Sequence, residues 1–323
     1  MRQPKTWVKH KIADERHPVA QRVSLPREIL ANMTTPQDHN DPTPRSLSRI
    51  PVFYAPEQVA EPQGASPSAS KPRNVVGRWE ASDFPIELRR PQPVATEDFY
   101  RAHDRTFVDD VLARRQSNGF GNRSASVAAS LPWTSGSMLS AARHALASGG
   151  VACAPCSGFH HAHWDAAAGF CTFNGLMVTV LALRATGRAH RIGILDCDQH
   201  YGDGTEDIIV RNRLRNGVHH VTAGRDYPHD AARFLGALPG IVRSFADCDL
   251  LLYQAGADPH VDDPLGGFLD DEQLAQRDAI VFGEARRFGL PVAWNLAGGY
   301  QEPLARVLDI HDRTMAACVA AYC

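Results

Sequence analysis

Along the 323-residue chain the spacing of apolar positions changes near residue 137, from an irregular first part to a regular second part. Residues 138–148 carry apolar side chains at helical spacing, 151–155 form a short apolar run, 170–186 return to helical spacing and 191–195 form a second run. The alternation continues with a helix over 206–213, strands over 218–222 and 250–254, a helix over 271–288, a strand over 291–296 and a last helix over 304–322. Strands that alternate with helices in this way predict a parallel sheet covered on both faces. Before residue 137 the pattern predicts a strand over 50–54 and a helix over 97–114, whereas 61–73 and 117–137 read as loops. Residues 1–48 mix Pro, Asn, Thr and charge around one short helical stretch at 25–33, and read as an arm ahead of a single domain over 49–323.

Composition narrows the function classes. Hydrophobic residues at 43% and charged residues at 22% are globular values, and no apolar run reaches the roughly 18–20 residues that span a bilayer. The first residues lack the apolar core of a secretory signal, so a soluble, cytoplasmic protein is expected. Seven cysteines are too sparse for a disulfide framework, and the Cys153/Cys156 pair has no second pair at zinc-ribbon spacing. Of 34 basic and 36 acidic side chains, residues 1–50 hold nine and five, which leaves 25 and 31 for the rest and a net charge of −6. No basic face is implied, and neither nucleic acid nor membrane is an expected partner. Only four of the basic residues are lysines, namely Lys5, Lys9, Lys11 and Lys71.

The informative polar residues cluster at the C-terminal ends of predicted strands, where open α/β sheets gather ligand and catalytic groups. SGFHHAHWD follows the strand at 151–155, DCDQHYGDGT follows 191–195, AGADPHVDDPLGG follows 250–254 and AGGY follows 291–296. In an extended segment residues i and i+2 project to one side, so Asp198 and His200 can meet one cation, with Asp258 as a third ligand from another strand end. Two carboxylates and one imidazole suit Zn²⁺, Fe²⁺ or Mn²⁺ with a position left open for water. The same Asp and Gly residues also serve as ordinary turn residues, and Asp203 or Thr205 could cap the next helix. The adjacent His160 and His161 can point to a common centre, with Asp196 and Asp203 available to fix one imidazole each, so that one histidine deprotonates water while the other holds charge. Tyr300, swung inward by two glycines, could donate to an oxyanion. His163 and His260 are expected at the rim, and His219 and His220 on the surface.

GFHHAHWDAAAGFCTFNG, ILDCDQHYGDGT, AGADPHVDDPLGG and LAGGY resemble the signature blocks of the zinc-dependent histone deacetylase and acetylpolyamine amidohydrolase superfamily. The resemblance extends over about residues 50–320. It implies the arginase/deacetylase fold, an eight-stranded mainly parallel sheet between helices, and hydrolysis of an acylated primary amine. By the same resemblance Asp198, His200 and Asp258 match the zinc ligands, and His160 and His161 the tandem histidines partnered by Asp196 and Asp203. Tyr300 matches the carbonyl-polarising tyrosine, and the Gly169 carbonyl the acceptor of the scissile amide N–H. Phe170 matches one wall of the acyl-lysine channel, with Tyr227 opposite. Asp196, Asp198 and His200, with the backbone near Thr222, match a structural K⁺ site.

Departures from the family pattern fall at the rim. Tyr201 follows His200 where the pattern has a second histidine, Asp262 replaces a glycine, and SNGFGNRSAS has no acidic residue to grip a peptide backbone, Asn122 being the nearest polar substitute. Acyl-lysine in a protein or peptide is the expected substrate, because Leu265 stands where a polyamine-selective member would carry an acidic gatekeeper. Against that, Asp262, Asp263, Asp270 and Asp271 make the loop acidic. Acetylated polyamine is the alternative, and a homo-oligomer goes with it, since polyamine enzymes of the family narrow their channel by dimerisation. A non-catalytic relative is disfavoured by the intact ligand set. A binuclear manganese ureohydrolase is disfavoured because it needs more His and Asp ligands in DxHxD patterns.

Overall fold

The computed structural model describes residues 46–61, 66–227 and 229–323; most of the expected arm and the helix at 25–33 lie outside them. Seven strands form one sheet: β1 (Ile50–Phe53), β2 (Ile86–Arg89), β3 (Val151–Ala154), β4 (Ile192–Asp196), β5 (Val218–Thr222), β6 (Leu250–Gln254) and β7 (Val292–Asn295). Their order is β2-β1-β3-β7-β6-β4-β5, and every pairing is parallel. The α/β class and parallel sheet are as expected, with seven strands among the described residues where eight were anticipated.

β3, β4, β6 and β7 are buried along their whole length, which explains their near-continuous apolar runs. Successive side chains point to opposite faces, so each strand feeds two cores. Leu251, Tyr253, Val292 and Trp294 pack on one face beneath α1 (Lys71–Ala81), α8 (Ala231–Arg243), α9 (Asp271–Arg287) and α10 (Ala305–Tyr322). Leu250, Leu252 and Ala293 pack on the other, beneath α2 (Thr96–Ala102), α3 (Arg105–Leu112), α4 (Ala125–Ser148), α5 (Gly175–Ala185) and α6 (Asp203–Arg211). A single turn, α7 (Ala223–Asp226), follows β5. Among the described residues no helix is long and apolar enough to cross a membrane, and all seven cysteines are free thiols.

Several elements depart from the pattern-based reading. α4 covers much of the stretch expected to be loop at 117–137, despite Pro132 in its interior. The Ser124 hydroxyl accepts the Val127 N–H at its start, and the Pro132 carbonyl accepts the Val94 N–H at 3.0 Å. α1 emerges from a Ser/Pro-rich stretch because Pro72 stands in the first turn, where no N–H is needed. α8, with Pro239 inside it, and the edge strand β2 were not anticipated. The expected helix at 97–114 is two helices, α2 and α3, separated at His103 and Asp104, whose carboxylate accepts the Phe107 N–H at 3.1 Å. The expected start of a helix at 170 gives way to a loop with Phe170 at φ 62°, and α5 begins after Asn174, which caps the Met177 N–H.

Candidate active site

The four polar clusters follow β3, β4, β6 and β7, which are consecutive neighbours in the middle of the sheet. Their loops therefore converge. The cavity between them holds about 170 Å³ and is lined by residues including His160, His161, Gly169, Phe170, Cys171, Asp198, His200, Leu265 and Tyr300.

Asp198, His200 and Asp258 each offer one ligand atom, all within 4.8 Å of one another. His200 Nδ1 lies 3.1 Å from Asp198 Oδ1 and 3.1 Å from Asp258 Oδ2. Both carboxylates are buried, and the set calls for positive charge. Hydrogen bonds to the two carboxylates push His200 up to about 10, while burial and the neighbouring Asp198 charge hold Asp258 well above the usual carboxylate range. A divalent cation relieves both effects, and two oxygens with one nitrogen match the donor chemistry of zinc or a similar ion. Glycine brings the backbone against these ligands: a Cβ on Gly298 would stand 2.5 Å from Asp258 Oδ2, and the Gly298 N–H donates to Asp198 Oδ2 at 2.9 Å.

The tandem histidines lie with their ring centroids 4.1 Å apart, each tied to its own carboxylate. His160 Nδ1 is 2.7 Å from Asp196 Oδ2, and Asp196 Oδ1 accepts from Gln254 Nε2 at 2.7 Å. His161 Nδ1 is 2.7 Å from Asp203 Oδ1. Asp203 opens α6 rather than capping it, the N-cap being Gly202. Burial disfavours the cationic form of His160, but Asp196 and Asp198 outweigh it and raise the imidazole to about 9. Burial and the charge of His160 lower His161 despite its bond to Asp203. Two imidazoles driven apart in this way can divide charge storage from proton abstraction. Gly169 lies directly over the second ring: its φ is 51°, and a Cβ there would stand 2.5 Å from His161 Cδ2.

Phe170 forms a wall between Phe120 and Tyr300, with ring centroids at 5.8 and 5.6 Å. Leu265, 48% exposed, also lines the cavity and gives it an apolar lip. Tyr227 does not line the cavity: it packs on Phe234 and beneath the Arg233 guanidinium. His260 is buried within its loop, accepting the Asp262 N–H and facing Asp271, and so stands away from the rim where it was expected. His163 sits between Asp203 and Asp207. His219 is exposed, as expected, and stacks on Phe245, whereas the His220 side chain is buried beside Glu206 and is not the surface group it was expected to be. Asn122 is engaged with Asn118 and Ser124 inside its own loop.

Three buried residues were given no role at the site by the sequence pattern. Lys71 donates from Nζ to the carbonyls of Ala297 at 2.7 Å and Gly298 at 3.0 Å; burial lowers it to about 8, with Asp258, Asp198 and Asp263 opposing. Arg277 of α9 donates to the carbonyls of Gly256 at 2.6 Å and Cys197 at 3.2 Å, bracing both ligand loops from behind. Asp263 is buried rather than exposed at the rim. The only local signal was for Lys71, the sole lysine beyond residue 11.

A family model described as "Histone deacetylase domain" matches residues 73–233, which include the dyad and two of the three candidate ligands. The chain belongs to the histone deacetylase-like superfamily. An uncharacterised protein of Picosynechococcus sp. is 31% identical to this deacetylase-like chain over 185 residues, 50% of this chain and 58% of that protein. Histone deacetylase 2 of Arabidopsis thaliana is 30% identical over 175 residues, 47% of this chain and 44% of that protein. The aligned stretch thus spans about half the length of these curated relatives. Among solved structures, an acetylpolyamine aminohydrolase from Burkholderia pseudomallei superposes with a TM-score of 0.66 at 19% identity, over 84% of this chain and 99% of that one, a likeness of fold.

Proposed function

We propose that this deacetylase-like protein is a zinc-dependent amidohydrolase that removes acyl groups from lysine side chains. One observation carries the reading: Asp198, His200, His160, His161 and Tyr300 line one cavity with an apolar lip, with Asp258 completing the candidate ligand set and Asp196 and Asp203 each holding one of the two oppositely perturbed histidines. Asp198, His200 and Asp258 would hold the ion, which when bound supplies Lewis acidity toward a carbonyl oxygen and acidifies water.

The chain's own groups account for the remaining steps. Phe170 and Leu265 flank the methylenes of an acyl-lysine, and burying each CH₂ contributes about 0.8 kcal/mol. The Gly169 carbonyl accepts the scissile amide N–H and orients the acyl group. His161, neutral at neutral pH and with Nδ1 engaged by Asp203, has Nε2 free to take a proton from the attacking water. The Tyr300 hydroxyl donates to the carbonyl oxygen as negative charge develops there. His160, held by Asp196, carries positive charge beside the reaction, and the abstracted proton passes to the leaving nitrogen. The products are a carboxylate and the free lysine amine.

The loop acids favour lysine over polyamine. Asp262 lies 3.6 Å from the Arg306 guanidinium, Asp270 caps α9, Asp271 pairs with Arg313 at 3.2 Å, and Asp263 faces inward. A polyamine's second ammonium would meet Leu265 without a partner and lose water for no return. We expect zinc-loaded protein, given a panel of acyl-lysine peptides and acetylated polyamines, to hydrolyse the peptides with the higher kcat/KM. Leu265→Glu is expected to shift preference toward polyamines. A kcat/KM at least about tenfold higher for polyamines would reverse the substrate assignment. Absence of turnover on every substrate, with metal bound, would make the protein a binding relative.

A further inference from the structure

Residues 296–304, which carry Tyr300, contain no helix or strand, and Ala297 and Gly299 both have positive φ, at 51° and 136°. The course of this segment is set by scattered contacts: the Leu296 N–H donates to the Cys156 carbonyl and the Gly298 carbonyl accepts the Ala257 N–H, and side chains supply the rest. Lys71 holds the carbonyls of Ala297 and Gly298, and Asp198 holds the Gly298 N–H. The backbone of Tyr300 itself is held by Asp263, whose Oδ2 accepts the Tyr300 N–H at 2.8 Å. The other oxygen, Oδ1, accepts the Leu265 N–H at 3.0 Å. A carboxylate only 5% exposed thus joins the polar end of the cavity to its apolar lip, and both residues it holds line that cavity.

The chemistry of the position calls for a carboxylate. Two backbone N–H donors converge from different segments, and only a group that accepts on both oxygens satisfies both; an amide would turn a donor toward one of them. Burial raises the Asp263 carboxyl, and its two backbone hydrogen bonds oppose that shift. A charge that is costly to bury is retained where it has two donors to satisfy.

We propose that Asp263 is the positioning residue for Tyr300: by fixing the Tyr300 backbone it sets where the phenol stands when the acyl carbonyl arrives. This rests on the reading of Tyr300 as the carbonyl donor, and the experiment separates the two. Asp263→Asn, Tyr300→Phe and the double variant are compared in kcat, KM and bound metal, and backbone amide exchange is measured for Tyr300. Asp263→Asn is expected to lower kcat by about 10–100-fold, with KM within about threefold and metal content unchanged, the loss typical of a misplaced catalytic group. In the Tyr300→Phe background the same substitution is expected to cost less than about twofold more, because the hydroxyl it positions is gone. A structural role would instead multiply the two losses, and that result overturns the inference. So does an Asp263→Asn enzyme with wild-type kcat beside a crippled Tyr300→Phe. Full activity in Tyr300→Phe removes this inference together with the reading beneath it. The amide measurement needs no variant: a Tyr300 N–H that exchanges in the native protein as fast as an open loop amide also overturns the assignment.

Discussion

At the scale of single residues, Lys71 shows how much of the site depends on one buried donor. Its ammonium is enclosed at the start of α1 and donates to two carbonyls of the segment that leads to Tyr300. Lys71→Met keeps most of the stem's packing but leaves the Ala297 carbonyl without that partner, whereas the Gly298 carbonyl keeps the Ala257 N–H at 3.1 Å. An orphaned buried acceptor costs about 1–3 kcal/mol. A loss of that order is therefore expected from urea unfolding, along with a fall in turnover, and a variant within about 0.5 kcal/mol of the parent would show that the Ala297 carbonyl finds another donor. The dyad, the three candidate ligands and Tyr300 were readable because acidic and imidazole groups stand out after apolar strand runs. Lys71, Asp263 and Arg277 were not, because a charged residue that is buried has the same letter as one that is exposed. Only the fold brings Lys71 within reach of a segment 226 residues away.

Among the elements, β3, β4, β6 and β7 were legible because burial on both faces leaves a near-continuous apolar run. α4 was obscured by Pro132 and by the serines and glycine along its buried side, where Gly136 lets the chain at Gln92 and Pro93 approach. The connection between α2 and α5 carries a pH dependence. His103 is buried, with Nδ1 2.8 Å from the His163 carbonyl and Nε2 accepting the Asn174 N–H at 2.9 Å. This is an arrangement for the neutral ring, since a protonated Nε2 would face another donor. Burial lowers His103 to about 4, against the favourable bond to the His163 carbonyl. As the folded value lies below the ordinary 6.5, the unfolded chain takes up the proton first on acidification. The contribution is thus fully present above about pH 6.5 and is lost as pH falls toward 4, by on the order of 3 kcal/mol. Unfolding free energies of wild type and His103→Asn, measured from pH 7.5 to 4, are expected to converge as the pH drops. A constant difference would place the effect elsewhere.

Over the whole molecule, the two cores are opposite faces of the same strands, and the candidate metal ligands sit at the ends of β4 and β6. Site and core should therefore unfold together. Holding Asp198 and Asp258 together without a cation weakens the folded state, and an ion that binds only that state stabilises it by about 4 kcal/mol at a concentration a thousandfold above its Kd. Chelation is expected to lower the thermal midpoint by roughly 5 °C or more, and Asp258→Asn to abolish most of the difference. Equal midpoints with saturating zinc and after chelation would argue against a site at these residues. A separate consequence concerns the protein's own surface. Lys71 is the only lysine among the described residues and it is fully enclosed, while Lys5, Lys9 and Lys11 lie outside them. The described surface carries its positive charge as guanidinium, so an amine-selective ester or anhydride applied to the native protein finds no ammonium there to modify. By the function proposed above, a protein that strips acyl groups from lysines presents on that surface no lysine on which such a group could settle.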